Sequence, residues 1–248
     1  MGSGPAYQRV ADEIRAAILS GELAQGDRMP SLPELAAQFG VTTTVAHNAV
    51  NVLRGEGLVV TRQGAGAYVR RFERIRRSSP GRLSRSHWGQ GRAIQDHDTG
   101  VRARVLDVVV GEVPAPEYVA TALGVDNDAA VLSRARRFEV DGRPVQLATS
   151  YLPLELVRGT AITYTDTGPG GAYARLAELG FAPVRFVERL TDRAPNPQER
   201  EQLALSSGAG ARVIEITRFA YDGTDRCVEV TRMVLDATAY ELEYEFPA

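Results

Sequence analysis

Over roughly the first 70 residues, apolar side chains recur at helical spacing; over most of the remainder they alternate. Val10, Ile14, Ala17 and Ile18 share one face of a helix predicted over 5–20, and Gly21 stops it. A second helix is predicted after Ser31, which can cap it with Glu34 closing a capping box and Pro33 in the first turn. Its stripe is Leu35, Ala36 and Phe39, and Gly40 follows its end. Thr42 can cap a third helix, in which Ala46, Ala49, Val50 and Leu53 follow the i, i+3, i+4, i+7 rule. Leu58 to Arg62 and Tyr68 to Arg71 can then pair as strands across Gln63, Gly64, Ala65 and Gly66. Two helices, a sharp turn and a hairpin make a winged helix-turn-helix in outline.

From about residue 100 the pattern changes. Strands are predicted at Val101–Val113, Val131–Val140 and Val145–Leu152, the last two flanking the turn signal Asp141-Gly142. Further strands are expected at Val184–Thr191, and at Val213–Tyr221 and Val228–Leu235 around Asp222-Gly223; the tail Ala237–Phe246 can add one more. Short helices are predicted at Pro116–Leu123, at Gly171–Leu179 and after Asn196, where Pro197 and Glu199 complete a capping box; 153–170 reads as loop. Hairpins with isolated helices indicate an α+β antiparallel-sheet domain. The whole reads as an α/β two-domain chain: a winged helix-turn-helix over 1–72, a basic linker over 73–96, rich in Arg, Ser and Gly, and the sheet domain over 97–246.

Length and charge sharpen this division. The 248 residues suffice for two domains. Residues 1–92 hold 13 Arg against 7 acids, whereas 93–248 hold 16 Arg against 24, so the front half is the one suited to a polyanion. There is no Lys, which coding bias in a GC-rich genome explains better than function does. The single Cys227 excludes an internal disulfide framework and a Cys-based zinc finger. No run of about 18 apolar residues occurs and Met1–Gln8 lacks a signal-peptide core, so no membrane contact is expected and a cytoplasmic location is. No Ser-His-Asp or Cys-His set follows from local spacing, and Asp96-His97-Asp98 lacks the second His a metal would want. No catalytic, metal or cofactor site is therefore expected. Gly168-Pro169-Gly170-Gly171 precedes a helix as a phosphate loop does, but no Lys-Ser/Thr follows.

Two constellations remain. On the third helix, Thr43, Thr44, His47, Asn48 and Asn51 face away from the apolar stripe; a DNA-reading surface and a plain solvated face both fit the two Asn. Arg54 and Arg62 suit phosphate, as Arg9 and Arg15 on the first helix do less directly, and Gly64 and Gly66 allow a close wing-tip approach. In the second half, Arg134 and Arg136 alternate on one strand and share a face, leaving Arg137 on the other. Such a pair suits a phosphate or carboxylate, and salt-bridging within an acidic half accounts for it equally.

The run GxLxxGDRxPSxxELAxxFGV followed by AxNVLRxEGLVxxRQGxGxYV, Gly21 to Val69, resembles the reader of GntR-type transcriptional regulators. The Arg strand before Asp141-Gly142-Arg143-Pro144-Val145, then Thr149-Ser150-Tyr151-Leu152-Pro153, and Val228-Glu229-Val230 with Asp236 resemble, more loosely, the UTRA effector domain of their HutC branch over about 97–245. The resemblance implies a chorismate-lyase-like fold for the second domain, which would bind a small effector and dimerise. It implies a homodimeric regulator, most simply a repressor released from double-stranded operator DNA by an effector such as an anionic metabolite. The DNA-binding set is then Ser31, Thr42, Thr43, Thr44, His47, Asn48, Arg54, Arg62, Gln63, Gly64 and Gly66, and the effector set Arg134, Arg136, Ser150, Tyr151, Tyr221 and Glu229. Relatives often carry guanine-reading Arg where this chain has Pro33, Thr43 and His47, so the usual operator is not implied. Two alternatives are a lyase-like enzyme for a small carboxylate with a DNA anchor, and a DNA-binding protein without a ligand.

Overall fold

The computed structural model describes residues 5–62, 66–70, 74–88, 104–140, 142–205 and 211–245, and divides into two compact units, Met1–Glu73 and Arg74–Ala248. The first unit is built from α1 (Ala6–Ser20), α2 (Leu32–Phe39), α3 (Thr43–Gly55) and the hairpin β1 (Val59–Arg62) and β2 (Gly66–Val69). Local chemistry sets its boundaries. Gly21 ends α1 in the left-handed region, at φ 83°, where a Cβ would be strained. Ser31 Oγ accepts from Glu34 N at 3.4 Å while Glu34 Oε2 accepts from Ser31 N at 2.7 Å, so the capping box is present. Thr42 Oγ1 caps α3 by accepting from Val45 N at 3.4 Å. The stripes meet in one core of Val10, Ile14, Leu35, Ala46, Ala49, Val50 and Leu53, closed below by Val59 and Val69. Burial of this apolar face, not helix propensity, holds helices of such length. Arg15 does not stay available for phosphate. Its Nη2 pairs with Glu56 Oε1 at 2.6 Å and its Nη1 with Asp12 Oδ1 at 2.5 Å, tying α1 to the end of α3.

The second unit centres on a six-stranded antiparallel sheet in the order β4 (Arg104–Pro114), β5 (Ala130–Val140), β6 (Arg143–Pro153), β9 (Cys227–Asp236), β8 (Val213–Tyr221), β7 (Arg185–Arg193). Helix α6 (Glu117–Leu123) covers one face, burying Val119, Ala120 and Leu123 with Val131, Phe219 and Val230. The opposite face meets α7 (Leu154–Val157), a 3-10 turn at Ala161–Thr163 and α8 (Gly171–Glu178) around Leu132, Leu152, Ile162, Tyr173 and Leu176. Helix α9 (Pro197–Gln202) starts at the Asn196–Glu199 capping box. The region read as loop, 153–170, thus holds two short helical turns, kept helical by packing that sequence periodicity does not reveal over so few residues.

One expectation is corrected. The run 73–96 reads as a basic linker, yet within it β3 (Ile75–Ser78) and the short turns α4 (Ser79–Arg82) and α5 (Arg85–Trp88) pack into the second unit. Arg77, Arg82 and Trp88 are buried, because ion pairing and aromatic packing absorb side chains that composition alone assigns to solvent. The strand expected in the tail forms as β10 (Tyr240–Glu243), outside the main sheet: it pairs in parallel with β3, from Tyr240 opposite Ile75 to Glu243 opposite Ser78.

Candidate nucleic-acid interface and buried arginine pocket

In the first unit, α3 turns Ala46, Ala49, Val50 and Leu53 inward and leaves Thr43, Thr44, His47 and Asn48 exposed. A hydrogen-bonded line runs down this outer face: Arg54 Nη1 donates to Asn51 Oδ1 at 3.0 Å, and Asn51 Nδ2 lies 3.2 Å from His47 Nδ1. With the amide oxygen engaged by Arg54, the amide nitrogen faces the ring, and the ring nitrogen it meets must accept. Three polar groups are thereby held in fixed positions on the surface where a recognition helix reads a major groove. Ser31 and Thr42 carry the caps of α2 and α3, which leaves them exposed at the helix starts but with their hydroxyls already used. Arg62 closes β1 opposite Gly66, whose φ of 100° favours glycine. Gln63 and Gly64, like Asp96-His97-Asp98, lie outside the described residues. Arg28 went unnoticed in the sequence: it bridges to Tyr68 of the hairpin and its guanidinium lies beside Gly66. The exposed polar position just before the α2 cap was the available signal.

In the second unit, a small cavity of about 60 Å³ lies between the sheet and α8, lined by residues including Arg82, Arg136, Arg218, Glu229, Tyr173 and Gly171. That is room for roughly four water-sized volumes, or one small oxyanion. Arg136 Nη2 donates to Ser150 Oγ at 2.6 Å, and Ser150 Oγ lies 2.9 Å from Thr231 Oγ1. Tyr173 donates its phenol proton to Glu229 Oε2 at 2.6 Å, and Arg218 Nη2 stands 3.8 Å from the same oxygen. Arg136 and Arg218 both act on Glu229, and Arg218 and Arg82 also on Glu188, so buried guanidiniums and carboxylates are interleaved around this space. Burial pushes the Arg136 pKa down and the Tyr173 pKa up; for Arg218, burial is outweighed by Tyr173, Glu229 and Glu188, which raise it. Arg136 Nε and Arg218 Nε have no hydrogen-bond partner. Gly170, in the left-handed region at φ 80°, opens α8 at the pocket wall without a side-chain cap, and the Gly171 N–H donates to the Gly168 carbonyl at 3.1 Å.

The predicted effector residues divide. Arg134, Arg136, Ser150 and Glu229 lie on the α8 face, as strand alternation requires. Tyr151 and Tyr221 do not: they pack on the α6 face with Phe219 and Val187, because Tyr151 follows Ser150 on the same strand and must point the other way. Arg134 is not directed at the pocket either. Its guanidinium donates to the carbonyls of Ile162 and Tyr164, and to that of Thr165 at 3.1 Å, and burial together with Arg136 lowers its pKa to about 10. Arg82, Tyr173 and Arg218 were missed. Arg218 left a signal, an arginine at an inward position of the strand between Ile216 and Ala220. Gly170-Gly171, set aside for want of a following Lys, proves to lie at the pocket.

Two family profiles match this architecture: that of the UTRA domain over residues 98–241, and that described as bacterial regulatory proteins, gntR family, over 6–69. The chain belongs to the GntR family of bacterial regulators, with a UTRA effector domain. An HTH-type transcriptional regulator of Rhizobium meliloti is 31% identical over 96% of this chain and 94% of its own. Another, from Streptomyces coelicolor, is 29% identical over 98% and 93%. The HTH-type transcriptional repressor PhnF of Mycolicibacterium smegmatis is 30% identical over 84% of this chain and 79% of its own. A crystal structure of PhnF superposes with a TM-score of 0.60 at 26% identity, covering 96% of this chain and 99% of that one. This GntR protein is thus a DNA-binding transcriptional regulator, and its sheet domain has the chorismate-lyase-like α+β form expected of the UTRA branch.

Proposed function

We propose that the protein is a homodimeric repressor that holds a two-fold-symmetric operator and releases it when a small anion occupies the arginine pocket. The observation that carries the effector reading is the cluster of buried guanidiniums in this cavity, in which Arg136 Nε and Arg218 Nε have no hydrogen-bond partner, beside the start of α8. A phosphate or carboxylate fits such a cluster through charge-assisted bonds to Arg136 and Arg218, with Arg82 close by. Ser150 orients Arg136, and Glu229 with Tyr173 offers a polar edge for the uncharged part of the ligand. PhnF, described as a repressor, supports the sign of regulation.

At the reading end, Thr43, Thr44, His47 and Asn48 face bases, while Arg54, Arg62 and Arg28 serve phosphate, with the wing at Gln63, Gly64 and Gly66 near the minor groove. Such a protein works where the chromosome is, which places it in the cytoplasm. The enzyme alternative draws no support from Glu229, whose carboxylate already accepts from Tyr173. Titration with inorganic phosphate tests the pocket: binding that Arg136→Ala weakens at least about tenfold, with operator affinity unchanged, is the expected result. Equal phosphate binding by the variant refutes it.

A further inference from the structure

Buried charge continues behind the pocket to β3, which begins two residues after the end of the reading unit at Glu73. Arg77, in the middle of β3, is 0% exposed. Its Nη2 donates to Glu188 Oε1 at 2.6 Å and lies 3.8 Å from Met233 Sδ, and Met233 is part of the pocket wall. Its Nη1 donates to Ser79 Oγ at 3.3 Å, and that hydroxyl donates to Glu188 Oε2 at 2.9 Å. Glu188 in turn stands in register with Arg218, one of the pocket guanidiniums. The partner strand touches the same wall: Tyr240 of β10 donates to Gln146 Oε1 at 3.4 Å. Both strands of the β3–β10 pair therefore contact residues that line the pocket.

We propose that Glu188 transmits pocket occupancy to β3, and so to the segment that leads from the DNA-reading unit. The proposal rests on the pocket being an anion site. A buried ion pair such as Arg77–Glu188 is a poor device for stability alone, because desolvation of both charges offsets their attraction. It is well placed as a switch. Burial raises the Glu188 pKa but Arg77, Arg218, Ser79 and Arg82 together hold it below the usual carboxylate range, so the charge is present and shared with pocket arginines. A dianion among Arg82, Arg136 and Arg218 supplies the negative charge that Glu188 was supplying and repels its carboxylate. The hold of Glu188 on Arg77 and Ser79 then weakens. A groove of about 610 Å³ lined by Ser79, Phe186, Glu188 and Tyr244 gives these side chains room to shift. Differential hold in two states is what coupling between sites requires, and it is reciprocal.

The test is amide hydrogen exchange on the full chain with and without inorganic phosphate, alongside calorimetric titration of the same anion. In the wild type, phosphate is expected to speed exchange in Ile75–Ser78 and Tyr240–Glu243 about fivefold. Glu188→Gln keeps the shape and an acceptor for Arg77 but removes the charge. It should bind phosphate about fivefold tighter, at the lower end of typical site–site couplings, and lose the exchange response. Ser79→Ala, a milder change, should reduce that response by at least half. An undiminished response in both variants overturns the coupling. So does phosphate that binds the wild type in an Arg136-dependent way and leaves β3 exchange unchanged. Phosphate that fails to bind, or binds Arg136→Ala equally well, overturns the anion reading beneath it.

Discussion

Arg134 and Arg136 show how little spacing says about use. They sit two apart on one strand and one face, yet Arg136 meets Ser150 in the pocket while Arg134 is consumed by the backbone around Ile162–Thr165. Removal of Arg134 leaves buried carbonyls without a donor, so Arg134→Ala should cost about 2–3 kcal/mol in urea unfolding, whereas an effector contact would leave stability nearly unchanged. A second residue-scale prediction concerns Glu199. Burial raises its pKa, but Arg193, the Asn196 amide and Arg232 override this and bring it to about 2. A carboxylate with a folded pKa below its ordinary value stabilises the fold above that ordinary value. This contribution, roughly 3 kcal/mol at most, should be lost as the pH falls from about 4.5 toward 2. Unfolding titrations of the wild type and Glu199→Gln should converge across that window. A gap that persists at pH 2 contradicts the assignment.

At the scale of elements, what was legible was local. Ser31–Glu34 and Asn196–Glu199 announce helix starts within four residues of sequence, and both boxes form. Thr42→Ala should cost about 1 kcal/mol by denaturant unfolding, the usual value of an N-cap. The hairpin pairs β5–β6 and β8–β9 were equally readable, since a turn fixes their register. The β3–β10 pair was not: its strands come from opposite ends of the unit, pair in parallel, and one lies in a run whose Arg and Ser content mimics a linker. The pocket was half legible for the same reason. Alternation on β5 gave Arg136, and applied to Ser150 and Tyr151 it also separates these neighbours onto two faces. Arg82 and Tyr173 reach the site from elements that no local pattern ties to the sheet.

At the scale of the molecule, the arginine excess of the first 92 residues lies in 74–92, whose described part packs into the second unit; Met1–Glu73 itself holds 7 Arg against 7 acids. DNA reading therefore rests on where α3 presents Thr43, Thr44, His47 and Arg54, on one outer face, and not on a net charge of the reading unit. Phosphate contacts release counterions, so Arg54→Ala should weaken binding on all DNA sequences and reduce the salt slope by about one, while His47→Ala should weaken operator binding selectively. The most direct measurement is nuclease footprinting of the purified protein on its own upstream DNA through a salt series. The expected result is a protected two-fold-symmetric site whose affinity falls steeply with salt, by about 0.9 log units per neutralised phosphate for each tenfold rise. Weak binding with no footprint, equal on unrelated DNA, would contradict the account of a sequence-reading regulator.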